Sequence, residues 1–228
     1  MLSDALRYPL NGDGWVRTIL IGGLLTILSV LVLPAFLVQG YYVRVLRGVA
    51  NDDPDPPAFD EWVALLVDGV KLFVVNVVVV LGVVVVQAGV AVVLGTGSFL
   101  AGTTGVSDPS AAGGVVGLLG IGVLLAGIVA ITYVAPAMFV NFAREDSLTA
   151  AFDVSTILSG ALSVEYLIAW LLAVAVGLVL GTVASILSLL VVGIFGLFYV
   201  QVVTYYLFGR GFADGLAADG GDAAAVTY

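Results

Sequence analysis

The chain has no cysteine and no histidine. That removes thiolate chemistry, disulfides, the usual zinc sites and histidine general bases. Lysine is nearly as scarce: Lys71 is the only one, and seven bases face sixteen acids. A surface of that sign does not suit nucleic acid, which needs basic patches. Charged residues of both signs make up only 10% of the chain, against about 25% in a soluble domain. GxGxxG, Walker, HExxH and CxxC arrangements are missing as well, so no phosphate loop, dinucleotide site or zinc-peptidase motif is legible.

What is abundant is hydrocarbon. Of 228 residues, 61% are hydrophobic, and the mean hydropathy is +1.20. The apolar residues fall in long runs, several of about 20 residues, the length that crosses roughly 30 Å of hydrocarbon as a helix. These runs predict an all-α, polytopic membrane protein with five transmembrane helices, at about 16–38, 72–94, 115–140, 165–185 and 188–208. Six is the alternative. Pro34 falls inside the first run, so one long kinked helix is the first reading and a tight hairpin broken at Leu33-Pro34 the second. Residues 48–58 are a loop, with three prolines and three aspartates. Beyond it, Phe59, Trp62, Val63, Leu66, Val70 and Phe73 recur at helical spacing, the pattern of an amphipathic helix lying at the interface. Residues 95–114 read as a Gly/Ser/Thr loop. Ser147 is the expected N-cap of a second interfacial helix. Residues 1–210 form a single membrane domain in this reading, and 211–228 a flexible Gly/Ala/Asp tail.

In a five-span arrangement Arg44, Arg47, Lys71, Arg144 and Arg210 share one side. By the positive-inside rule that side is the cytoplasm, and it holds the C-terminus of a multi-pass cell-membrane protein. Arg7 and Arg17 conflict with this arrangement unless residues 16–47 form the hairpin. Arg44, Arg47, Arg144 and Arg210 are candidate contacts for lipid headgroups, within a belt of tyrosines and arginines. No ionisable residue falls at mid-span, which disfavours a proton relay or an intramembrane hydrolase. The polar groups that remain in the spans are amides and hydroxyls. Asn76 and Gln87, about three helical turns apart, share a face. With Gln39, Asn141 and Gln201 they are the candidates for a polar path; interhelical hydrogen bonding is the structural alternative. Gly177 and Gly181 form a small-xxx-small pair suited to close helix packing. A faint internal echo pairs residues 34–39 with 136–141, and Gln39, Tyr41, Tyr42 and Arg44 with Gln201, Tyr205, Tyr206 and Arg210.

Four stretches carry a resemblance: GDGWVRTILIGGLL at 12–25, GYYVRVLRGVANDDPDPPAFDEWVALLVDGVKLFVV at 40–75, NFAREDSLTAAFD at 141–153 and YYLFGRGFADG at 205–215. Together they resemble the DUF4013 family of haloarchaeal membrane proteins. The resemblance implies an integral membrane protein of a halophilic archaeon, in line with the Asp-rich, Lys-poor loops. It supplies no catalytic or binding residues, because the family has no assigned function. The expected role is a non-enzymatic scaffold or accessory membrane component, with a small-solute transporter or channel as the alternative. The expected partners are membrane lipids and a second copy or another membrane protein, with no cofactor, no metal and no nucleic acid.

Overall fold

The computed structural model describes residues 1–103 and 109–225. Eight α-helices follow in chain order: α1 (Leu2–Arg7), α2 (Trp15–Ile27), α3 (Val32–Ala50), α4 (Trp62–Thr103), α5 (Pro109–Glu145), α6 (Val154–Ala161), α7 (Val164–Leu187) and α8 (Val192–Ala225). No strand occurs among the described residues. The valine-rich run after Lys71 is helical, since in lipid only a helix satisfies its own backbone within one segment. Among the described residues, four helical stretches are long and apolar enough to cross a membrane: Trp62–Val92, Leu118–Glu145, Val164–Leu190 and Val192–Asp219. A fifth is reached only if Leu2–Leu10 and Trp15–Val30, bent by 86° at their join, act together. The architecture is that of a polytopic all-helical protein. Contacts gather it into two compact units, Met1–Val75 with Pro136–Tyr228, and Asn76–Ala135.

The first apolar run is not one helix. α2 stops at Ile27, a 3-10 turn covers Leu28–Val30, Leu31 is extended, and α3 begins at Val32. Pro34 lies in the first turn of α3, where a missing N–H breaks no helical hydrogen bond. The proline therefore starts a helix instead of kinking one, and the hairpin reading replaces the single span over 16–38. The directions follow from contacts with α8. Tyr8, just ahead of α2, meets Tyr206, and a methyl group added at Gly22 or Gly23 would overlap Phe198 or Phe195. α2 therefore runs antiparallel to α8. On α3, Tyr42 stacks on Tyr205 and Val49 packs at Gly209, so α3 runs parallel to α8 and antiparallel to α2. α7 returns against α8 through a second 3-10 turn, Ser188–Leu190, closed by Val191 at a φ of 62°.

α8 is thus the shared surface of the larger unit. Its flanks are aromatic. Tyr41 stacks on Phe59 at 4.3 Å between ring centres, and Phe198 sits within aromatic contact of Tyr41, Tyr42 and Phe59. Tyr8 and Tyr41 are almost fully buried. The tyrosines expected in an interfacial belt are instead core residues at this end of the bundle, each ring giving a large contact area with defined stacking geometry.

Other boundaries also move. The interfacial helix expected over 59–73 is the start of α4, which runs unbroken from Trp62 to Thr103. Of the loop expected at 95–114, residues 95–103 and 109–114 are helical, and the remainder lies outside the described residues. Ser147 does not cap a helix; its hydroxyl pairs with that of Thr149. Asp153 caps α6 instead, accepting from the Thr156 amide and hydroxyl. Residues 211–225, expected to be a flexible tail, continue α8. Phe212 is fully buried there and packs at Gly160 of α6.

α3 and α4 cross through glycine. A methyl group at Gly40 would overlap the Leu65 carbonyl, and one at Gly69 would overlap the Phe36 carbonyl. The two backbones touch reciprocally, as small residues allow in membrane helices. By contrast, nothing lies within 4 Å of a methyl group at Gly177. Gly40→Ala and Gly69→Ala should each lower the melting temperature in detergent, because the helices must part. Gly177→Ala should be neutral or stabilising by about 0.5–1 kcal/mol from helix propensity. Circular dichroism melts of the three variants check this ranking.

Candidate functional site

The charged residues of the larger unit collect at one end of its helices, and Arg47 is the point where most elements meet. It lies in the last turn of α3. Its Nε donates to the Ala143 carbonyl at 3.1 Å. That carbonyl belongs to the last turn of α5, whose final C=O groups have no partner within the helix and carry the negative end of its dipole. One guanidinium nitrogen reaches Asp68 at 3.3 Å and the other Asp146 at 3.1 Å. Lys71, one turn along α4 from Asp68, also meets Asp146, at 2.9 Å. Asp68 and Asn141 are the two buried polar residues among those described. A buried carboxylate is tolerated only when paired and hydrogen-bonded.

Three acids in the outer layer share a backbone feature. Asp52, Glu61 and Asp146 have φ values of 60°, 47° and 48°, a left-handed conformation that costs non-glycine residues energy. Each is held by a cation from another element: Asp52 by Arg210, Glu61 by Arg44 at 3.2 Å, and Asp146 by Arg47 and Lys71. Asp146 directly follows α5, where a left-handed residue ends a helix. The Lys71 hydrogen bond, aided by the Arg47 charge, holds its carboxyl below the usual value of 3.8.

The four arginines expected at lipid headgroups therefore have partners within the chain. Arg44 pairs with Asp60 at 2.6 Å as well as Glu61. Arg210 pairs with Asp52 and, at 3.1 Å, with Asp214. Arg144 meets Glu145 at 2.9 Å, while its buried Nε has no hydrogen-bond partner among the described residues.

The five amides are divided between the two units, three in the larger and two in the smaller. Asn141 is buried on α5 and donates to the Ala150 carbonyl at 2.8 Å. Gln39 is half-buried on α3, and its buried Oε1 has no hydrogen-bond partner among the described residues. Gln201 is exposed on α8, in an open groove of about 910 Å³ whose walls include Thr26 of α2 and Gly177 and Gly181 of α7; none of the other four amides lines it. Asn76 and Gln87 belong to the unit Asn76–Ala135. There Gln87 borders a cavity of only about 20 Å³ between α4 and α5, alongside Val86, Val90, Leu124 and Ile128. Six of the serine and threonine hydroxyls bond locally. Thr26, Ser29, Thr132, Thr182 and Thr204 each donate to a carbonyl one turn back in their own helix, and Ser188 to that of Ser185.

Sequence reasoning missed the Arg47–Asp68 pair. The signal was there: Asp68 lies among Leu65, Leu66, Val67 and Val70, an apolar setting for an acid. Reading the segment as an interfacial helix put that acid in water.

Replacing Arg47 by Met strands Asp68 and should cost roughly 3 kcal/mol, the scale for breaking a buried pair from one side. Arg44→Met should cost well under half of that, because Asp60 and Glu61 remain in solvent. Chemical unfolding in detergent micelles measures both. The lowered pKa of Asp146 fixes the sign of a pH effect. Its contribution to stability is complete above its ordinary value and is lost as pH falls through the lower, folded value. Asp146→Asn should flatten the acid limb of a stability–pH profile below about pH 4, and molar salt should shrink the difference, since the pair is half-exposed.

A family model described as "Protein of unknown function (DUF4013)" matches residues 25–189. No curated protein matches the chain, and no solved structure does.

Proposed function

Because the chain belongs to the DUF4013 family, whose description assigns no activity, we propose a function from its own residues: a non-enzymatic membrane scaffold or accessory component. The observation that carries this reading is how the polar atoms of the membrane helices are used. The hydroxyls named above bond back onto their own helices, and within the larger unit neither Gln39 nor Asn141 lines the groove that holds Gln201. What the chain does present is an acidic, ion-paired end. All seven bases lie outside the stretches 18–43, 72–143 and 166–209, and so do all the acids except Asp108. By the positive-inside rule this end faces the cytoplasm together with the C-terminus. The scarcity of lysine and the surplus of aspartate support a membrane bathed in high salt. The role is to hold a second membrane component, either another copy or a different protein, against this end, within surrounding membrane lipid.

Purified protein in liposomes tests the reading. Proteoliposomes should retain an internal fluorescent dye and a potassium gradient as long as empty vesicles do. Solute-specific flux that depends on the chain, and that drops with Gln201→Leu or Gln87→Leu, would instead establish the small-solute path.

A further inference from the structure

The turns of the α2–α3 and α7–α8 hairpins are made of the wrong residues for water. Val30 is 91% exposed and Leu189 is 86% exposed, and Leu31, Val32, Leu33, Leu190, Val191 and Val192 are exposed beside them. The only hydroxyls at the two turns, Ser29 and Ser188, donate to the carbonyls of Leu25 and Ser185. Sequences 18–43 and 166–209 contain no charge at all.

The depth of the hairpins can be counted from a level that must be wet. Arg44 and its partners Asp60 and Glu61 mark that level, since both carboxylates are exposed. From Arg44 to the extended residue Leu31, α3 rises about 20 Å at 1.5 Å per residue. From Arg17 to Val30, α2 covers the same rise of about 20 Å. α8 gives a further count. Tyr205 stacks on Tyr42, two residues from Arg44, and from Tyr205 to Val191 is about 21 Å. Hydrocarbon is about 30 Å thick, so these three counts end short of its far side; α7 is longer, about 33 Å from Glu165 to Leu187, but Glu165 lies at Gly211 of α8, about 9 Å beyond the Tyr205 level.

Irregular backbone facing lipid is normally forbidden, because its polar groups have no partner there. These turns nearly avoid that cost. The Leu31 amide bonds to the Leu28 carbonyl and the Val191 amide to the Ser188 carbonyl. Three residues further on, Ile194 bonds back to Val191, and at the matching place in α3 stands Pro34, which has no N–H to satisfy.

We propose that α2–α3 and α7–α8 are re-entrant hairpins, entering and leaving the membrane at the charged end, with their turns docked against lipid hydrocarbon chains inside the bilayer. This inference is independent of whether the chain moves a solute.

The lack of native cysteine makes the test direct. The single substitutions Val30→Cys, Leu190→Cys and, as a wet control in an exposed loop, Ala58→Cys are labelled with bimane in proteoliposomes. Quenching is compared for aqueous iodide, a headgroup nitroxide lipid and a mid-chain nitroxide lipid. Val30 and Leu190 should be quenched several-fold more by the mid-chain nitroxide than by iodide, and Ala58 the reverse. Iodide quenching of the turns comparable with that of Ala58, or stronger quenching by the headgroup nitroxide than by the mid-chain one, overturns the proposal. Both turn sites are exposed, so the label displaces no packed side chain. Val30→Trp, read with the same lipids as the difference from the parent chain and its three native tryptophans, gives a second measurement with the same two outcomes.

Discussion

The larger unit depends on Arg47. A carboxylate such as Asp68 cannot stay charged in an apolar helix packing without a cation against it, and the last carbonyls of α5 need donors. One guanidinium meets both needs, with one donor directed to Asp68 of α4 and two to the end of α5, at the Ala143 carbonyl and Asp146. A lysine would not do the same, because a point charge lacks the planar fork. The reach is set by backbone contact. Gly40 and Gly69 let α3 and α4 touch, and that crossing brings the end of α3 to the first turns of α4. Glycine packing and the ion pair are therefore coupled: parting the helices would lengthen the Arg47–Asp68 contact.

Much of the architecture was legible from hydropathy, because a bilayer imposes length and continuity on every crossing segment. The all-helical class, the final two apolar helices and the loop of three prolines all follow from composition and spacing. The failures have a common cause. Sequence periodicity assigns polar residues to water, whereas Asp68, Tyr8 and Tyr41 are inside, Asp68 and Tyr8 bonded to Arg47 and the Asp55 carbonyl and Tyr41 packed on Phe59 and Phe198. Glycine-rich and aspartate-rich stretches also read as loops, yet 95–103 and 211–225 are helical. At Gly211 and Gly215 the missing side chains admit Ala169 and Ser163 of the neighbouring helix, so those glycines serve packing more than flexibility. The candidate site was legible only as residue types. Nothing in spacing alone tells that Arg44, Arg47 and Arg210 spend their charge on the chain's own acids.

The faint echo between residues 39–44 and 201–210 has a physical counterpart. These are the corresponding ends of α3 and α8, which run parallel and meet through Tyr42 and Tyr205. The other echo, between Pro34 and Pro136, joins two unlike situations: the first begins a helix and the second lies inside α5. The two hairpins themselves match in backbone. Each has a helix, a 3-10 turn, one residue out of helical conformation and a second helix. Residue choice at the two turns differs, with an extended Leu31 ahead of Pro34 in one and a left-handed Val191 in the other.

The central position of α8 has a consequence for biogenesis. Chains are made from the N-terminus at a finite rate, and α8 emerges after the other seven described helices. Yet α1 is tied to it, with the Tyr199 hydroxyl donating to the Leu6 carbonyl, and α2, α3, α6 and α7 all pack on it. The early hairpin must therefore wait in the membrane, with the notch at Gly22 and Gly23 unfilled, until Phe198 and Phe195 arrive. During that interval the nascent chain offers a ready-made acceptor for the aromatic face of any other helix nearby, including α8 from a neighbouring copy still on its own ribosome.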